Sequence, residues 1–197
     1  PMYLTRLVKD KVTVADVAIS DDMQATLNAD IAEAASNSNA VEQQARKAKS
    51  AEVKWSFTSL NTKVSIIRQL LAQLATNKAV VAQEGELSTT LTALRAQLLL
   101  IEKRLAAPTI LPGPTGESNI LHLESRGTLA CVRCSDTPFE FWMMSVVSAL
   151  SAGNCVIALV DKQYLTETNA IANLLTQAGL PASVFQVVTL GNLPTLL

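Results

Sequence analysis

Residues 136–163 read DTPFEFWMMSVVSALSAGNCVIALVDKQ, and this stretch decides the fold. Pro138 opens a helix over Phe139 to Ser151, Gly153-Asn154 turns the chain, and Val156 to Val160 follows as a short buried strand. Downstream, Thr166 to Ala178 predicts a second helix. Gly179-Leu180-Pro181 ends it, because glycine accepts the left-handed C-terminal conformation and proline cannot continue a helix. Val184 to Val188 is the next strand. Upstream, Ile120 to Glu124 reads as a first strand, separated by Gly127 from Leu129 to Val132. Strands alternating with helices predict a parallel sheet with right-handed crossovers.

Farther upstream the punctuation changes. Met2 to Ala107 contains no proline and only Gly85, whereas Pro108 to Leu197 holds six of the seven glycines and six of the seven prolines. The first part is expected to be helical. Asp21 or Asp22 caps a helix bearing Met23, Leu27 and Ile31; Ser36-Asn37-Ser38 breaks the chain; Asn39 with Glu42 resembles a capping box ahead of Val41, Ala45 and Ala48. Thr58 or Ser59 precedes the stripe Val64, Ile67, Leu70, Leu71 and Leu74. Leu87, Leu91, Leu94, Leu98, Ile101 and Leu105 form a heptad-like seam, too short for a sustained coiled coil, so packing within its own domain is expected. The seam leaves a homo-oligomer open. Pro108, Pro112, Gly113, Pro114 and Gly116 make a stiff connector.

Composition narrows the function. Sixteen basic against seventeen acidic residues, a net charge of -1, give no electrostatic footprint for nucleic acid. The basic residues Arg46, Lys47 and Lys49 are a solvated group. A mean hydropathy of +0.26 fits a globular chain, and no apolar run approaches the ~20 residues that span a bilayer. Without a signal peptide and with the three cysteines Cys131, Cys134 and Cys155, a reducing, cytoplasmic setting is expected. His122 leaves too few ligands for a Cys/His zinc site. The chain opens on Pro1-Met2-Tyr3 and stops on apolar Leu193 to Leu197, which reads as a piece of a longer polypeptide.

Leu150 to Asn154 followed by Val156-Ile157, and Gln177 to Pro181 with Val187-Val188-Thr189, resemble the coenzyme-binding half of the aldehyde dehydrogenase superfamily. Ala45 to Leu74, with Trp55-Ser56 and Ile67 to Leu70, resembles its N-terminal helices. Leu111 to Asn119 is similar to the linker into the C-terminal domain of the proline utilization A family, and Pro1 to Leu7 to the segment behind its semialdehyde dehydrogenase module. The resemblance implies a bifunctional parent that oxidises proline with FAD and glutamate semialdehyde with NAD, and a further, non-catalytic aldehyde-dehydrogenase-like domain packed behind those modules.

The superfamily has an asparagine that helps bind the oxyanion where Asp136 stands; a carboxylate only accepts hydrogen bonds and repels developing negative charge. Where the family holds the adenosine ribose with a lysine and a glutamate, the aligned residues are Leu159 and Lys162. The resemblance therefore implies no catalytic, cofactor-binding or metal residues in this segment and no cofactor of its own. Cys131 and Cys155 read as small apolar core residues. Cys131 and Cys134 are three apart, so on one strand their sulfurs point to opposite faces, and they pair only if the strand ends between them. The cluster Phe139, Phe141, Trp142, Met143 and Met144 is assigned to sheet packing or a partner contact. His122, alternating with Leu121 and Leu123, is assigned to the surface or an interface.

The expectation is an α/β chain: an N-terminal helical region packed on a partial Rossmann-like parallel sheet of the aldehyde dehydrogenase superfamily type. Residues 1–36 would be a partly helical extension. Residues 37–197 would be the degenerate domain, with helices at 37–107, a connector at 108–119 and an αβ sheet region at 120–197 that is cut short. Its expected role is packing against the catalytic modules of the same polypeptide and sealing a substrate channel. The alternatives are an NAD-binding fragment of an active dehydrogenase and a helical oligomerisation module.

Overall fold

A computed structural model describes residues 42–190; the expected elements at 21–41 lie outside that range. Four helices come first: α1 (42–56), α2 (Leu60–Leu74), α3 (Lys78–Glu84) and α4 (Ser88–Leu105). Ser59, rather than Thr58, caps α2, its Oγ accepting from the Thr62 amide at 3.2 Å. Asn77 caps α3, its Oδ1 accepting from the Ala79 and Val80 amides at 3.1 and 3.3 Å. Helix α3 has seven residues, too few to show a period in the sequence.

The connector and the strand after it differ from expectation. Thr109–Leu111 (β1) and Asn119–Leu121 (β2) pair antiparallel, Ile110 opposite Ile120, in a two-stranded sheet of their own. The prolines and glycines between them close a hairpin, with the Glu117 amide donating to the Pro114 carbonyl at 3.1 Å. The strand expected at Ile120 to Glu124 therefore ends at Leu121 and stands outside the parallel sheet.

That sheet comprises β3 (Thr128–Arg133), β4 (Cys155–Asp161) and β5 (Phe185–Leu190), all parallel in the order β3-β4-β5. Helix α5 (Phe139–Ser151) crosses from β3 to β4; a 3-10 turn (Lys162–Tyr164) leads into α6 (Leu165–Gln177), which crosses to β5. Two like-handed crossovers in one direction place both helices on one face. Helix α2 packs on α4, α5 and α6, making an outer helical layer. Trp55, Leu70, Leu94, Trp142, Met143 and Ile171 belong to the single core between the layers.

Both crossover helices end the same way. The Asn154 amide reaches the Ala149 carbonyl and Gly153 the Leu150 carbonyl; the Leu180 amide reaches Leu175 and Gly179 reaches Thr176. These are Schellman closures, and they need the positive φ of Gly153 (85°) and Gly179 (97°). The Asn154 side chain then aims β3: its Oδ1 accepts from the Arg126 and Gly127 amides at 2.6 and 3.1 Å. The Gly-Asn turn thus sets the start of β3 as well as that of β4.

Candidate functional site

In open parallel sheets, ligands bind beyond the carboxyl ends of the strands at a reversal of strand order. Among the described residues β3-β4-β5 runs without a reversal. The carboxyl end holds the 134–138 loop, the N-terminus of α5 and the turn after β4. Cys134 and Thr137 tie the loop, the Thr137 amide donating to the Cys134 carbonyl at 3.0 Å. Across the crevice the Ser135 amide donates to Asp161 Oδ2 at 3.1 Å, and the Ser135 hydroxyl donates to Asp136 Oδ1 at 3.2 Å. Helix α5 begins at Pro138 without a side-chain cap, and Glu140 lies in its first turn. The mouth carries both signs of charge: Asp136, Glu140 and Asp161 lie in the segments that follow β3 and β4, with the exposed Lys162 beside them.

Beneath it sits Arg133, the last residue of β3 and only 1% exposed. Its Nη1 donates to Glu167 Oε1 of α6 at 2.7 Å, and its Nη2 donates to Glu84 of α3. The guanidinium lies 4.0 Å from the Tyr164 ring centroid, 5.0 Å from Phe139 and 5.4 Å from Trp142. Trp142 Nε1 in turn donates to the Cys131 carbonyl at 3.3 Å. One buried cation thereby joins β3, α3, α5 and α6.

Two carboxylates share that cation, and Glu167 is itself 1% exposed. Burial pushes the Glu167 carboxyl up to about 7 against the pull of Arg133, and the Glu84 charge adds to the rise. The folded state therefore favours the protonated acid. Its contribution to stability is complete below the ordinary carboxylate value of 4.5 and is lost as pH rises through about 7. Urea midpoints are expected to fall across that window, and Glu167→Gln is expected to flatten the fall; an unchanged slope would place the titration elsewhere.

Asp136 and Lys162 are exposed at the crevice, and Leu159 is half-buried within β4. Cys131 and Cys155 are buried, and burial raises each thiol to about 11, with the Glu52 charge adding to the rise at Cys155. Cys134 is half-buried just past the end of β3, and all three thiols are free. Among the described residues no His, Cys, Asp and Glu gather to hold a metal ion. Phe139, Trp142 and Met143 are buried, whereas Phe141 is exposed. His122 is exposed, but so are Leu121 and Leu123: β2 has ended at Leu121, so the expected alternation does not apply.

Arg133, Glu84, Glu167 and Asp161 were not singled out from the sequence. A lone arginine closing the apolar run Leu129 to Val132 was the visible signal. Its partners lie 34 and 49 residues away.

The aldehyde dehydrogenase family model matches residues 15–193. Among solved structures, a bifunctional proline utilization A protein superposes with a TM-score of 0.66 at 24% identity, covering 85% of this chain and 19% of that one. A variant of the Bradyrhizobium japonicum proline utilization A gives 0.64 at 24% identity over the same shares, 85% and 19%. An indole-3-acetaldehyde dehydrogenase complexed with NAD+ gives 0.63 at 19% identity, covering 75% of this chain and 33% of that one. No curated protein matches the sequence. This chain thus spans about a fifth of the length of the proline utilization A structures, at 19%. With the family match running through α2, α4, the whole parallel sheet and both crossovers, the chain belongs to the aldehyde dehydrogenase family.

Proposed function

We propose that this domain is a non-catalytic member of its family that packs against the catalytic modules of a bifunctional, proline-to-glutamate polypeptide and seals the passage between them. The observation that carries the reading is the self-bonded mouth of the sheet. Asp161 takes the Ser135 amide, a donor that a bound anion would need, and Asp136 and Glu140 add like charge where a pyrophosphate or oxyanion would sit. The Leu159 side chain offers no polar atom to a ribose. These residues do not fit a nicotinamide dinucleotide, so no reaction step is assigned to this domain.

Packing is supported by the β1–β2 hairpin. Ile110 and Ile120, directly opposed, are 82% and 50% exposed, and Leu111, Leu121 and Leu123 are exposed beside them. Clustered apolar surface of this kind marks a contact site. A domain held in the same chain meets its partner at very high effective concentration, so modest affinity suffices. On this reading FAD and NAD belong to the parent's other modules, which are the domain's partners in the cytoplasm, and self-association of the parent is compatible with it.

Deleting the domain from such a parent is expected to lower coupled proline-to-glutamate flux and release semialdehyde into solution. Unchanged flux, leakage and solubility would remove the sealing role. The alternative, an NAD-binding fragment, is favoured only by the similarity to a dehydrogenase solved with NAD+.

A further inference from the structure

At the opposite end of the sheet, next to the turn that ends α5, lies a hollow of about 350 Å³ lined chiefly by Ser56, Lys63, Leu105, Glu124, Ser125 and Ser151. Lys63 is 6% exposed, and its Nζ donates to the Ser56 carbonyl at 2.8 Å, 5.8 Å from the Trp55 ring centroid. An ammonium has three donors, and no carboxylate of the described residues lies within ion-pair distance of this one. The ammonium lies against the α5 terminus, since a Cβ on Gly153 would sit 2.8 Å from Nζ. Two residues earlier Ser151, 1% exposed, keeps an Oγ with no hydrogen-bond partner. A buried cation without a counter-charge and a buried hydroxyl without a partner are each costly, and both line the same hollow.

We propose that this hollow binds a short-chain carboxylate bearing an amino or hydroxyl group at its far end. The carboxylate lies between Lys63 and Ser151, and the donor group faces Glu124. One ammonium and one hydroxyl match a single negative charge, whereas a phosphate dianion would meet the Glu124 charge with too few donors. The volume, at the small end of the range for small-molecule sites, has room for such a molecule. Leu105 covers its aliphatic part.

The test is calorimetric titration of the full chain with γ-aminobutyrate, with acetate and inorganic phosphate as comparators. Saturable binding of γ-aminobutyrate is expected, tighter than acetate, with phosphate weaker than both. Ser151→Ala removes an unpaired hydroxyl, so it should keep the wild-type melting temperature while weakening binding roughly tenfold, the loss for one hydrogen bond to a charged group. Lys63→Met should abolish binding. The proposal is overturned if the folded wild type binds none of the three, if phosphate binds most tightly, or if folded Ser151→Ala retains full affinity.

Discussion

Replacing Arg133 with methionine is expected to destabilise the domain by about 3–5 kcal/mol at neutral pH, the usual consequence of removing one partner from a buried ion pair. The guanidinium holds Glu167 and Glu84 together, and its loss leaves the almost fully buried Glu167 carboxyl without its donor and the three surrounding rings without their cation. Folding stabilities of small domains are about 5–15 kcal/mol, so the loss is a large fraction of the whole. The gap should widen above neutral pH, because without Arg133 the Glu167 carboxyl, already raised to about 7, is pushed higher still and the variant keeps losing stability where the wild type has levelled off. Denaturant melts of wild type and variant at neutral and alkaline pH would show this as a widening gap. A gap independent of pH would mean that Arg133 acts through ring packing alone.

Leu94→Glu is expected to abolish cooperative folding rather than to dissociate an oligomer. Leu94 is 0% exposed, in the middle of α4 where it packs on α2 and α5. Removing a buried leucine costs about 2–5 kcal/mol, and a carboxyl group buried without a partner adds to that. The α4–α5 contact is fixed beside it by Gln97, whose Nε2 donates to the Met144 carbonyl at 3.1 Å and to Ser148 Oγ at 2.6 Å. Circular dichroism of the variant should show no sharp thermal transition. A natively folded variant that merely sediments as a smaller species would assign the seam to subunit contacts.

The α5–β4–α6–β5 run was legible because each element carries its own stop signal. Gly153 and Gly179 need positive φ at helix ends, and the apolar runs between them are strand-length. The α4 stripe was legible as a period, and its inward direction followed from its shortness. Helix α3 and the β1–β2 hairpin were not legible. One is shorter than two turns, and the other pairs residues across a proline-rich loop whose connector-like composition hides its return.

The candidate site divides along the same line. Asp136, Leu159 and Lys162 were singled out by the resemblance to the aldehyde dehydrogenase superfamily, and they fall at or beside the carboxyl end of the sheet. The Arg133 cluster depends on three elements meeting in space, and no local pattern announces Glu84 or Glu167. The same holds for Lys63, which reads as one polar residue beside a helical stripe until Ser151 and Gly153 are brought against it.

Isothermal titration of the folded chain with NAD tests the central claim most directly. The self-bonded mouth predicts no saturable heat at NAD concentrations that saturate active dehydrogenases of this family. Saturable micromolar binding would contradict it and assign the crevice to the coenzyme.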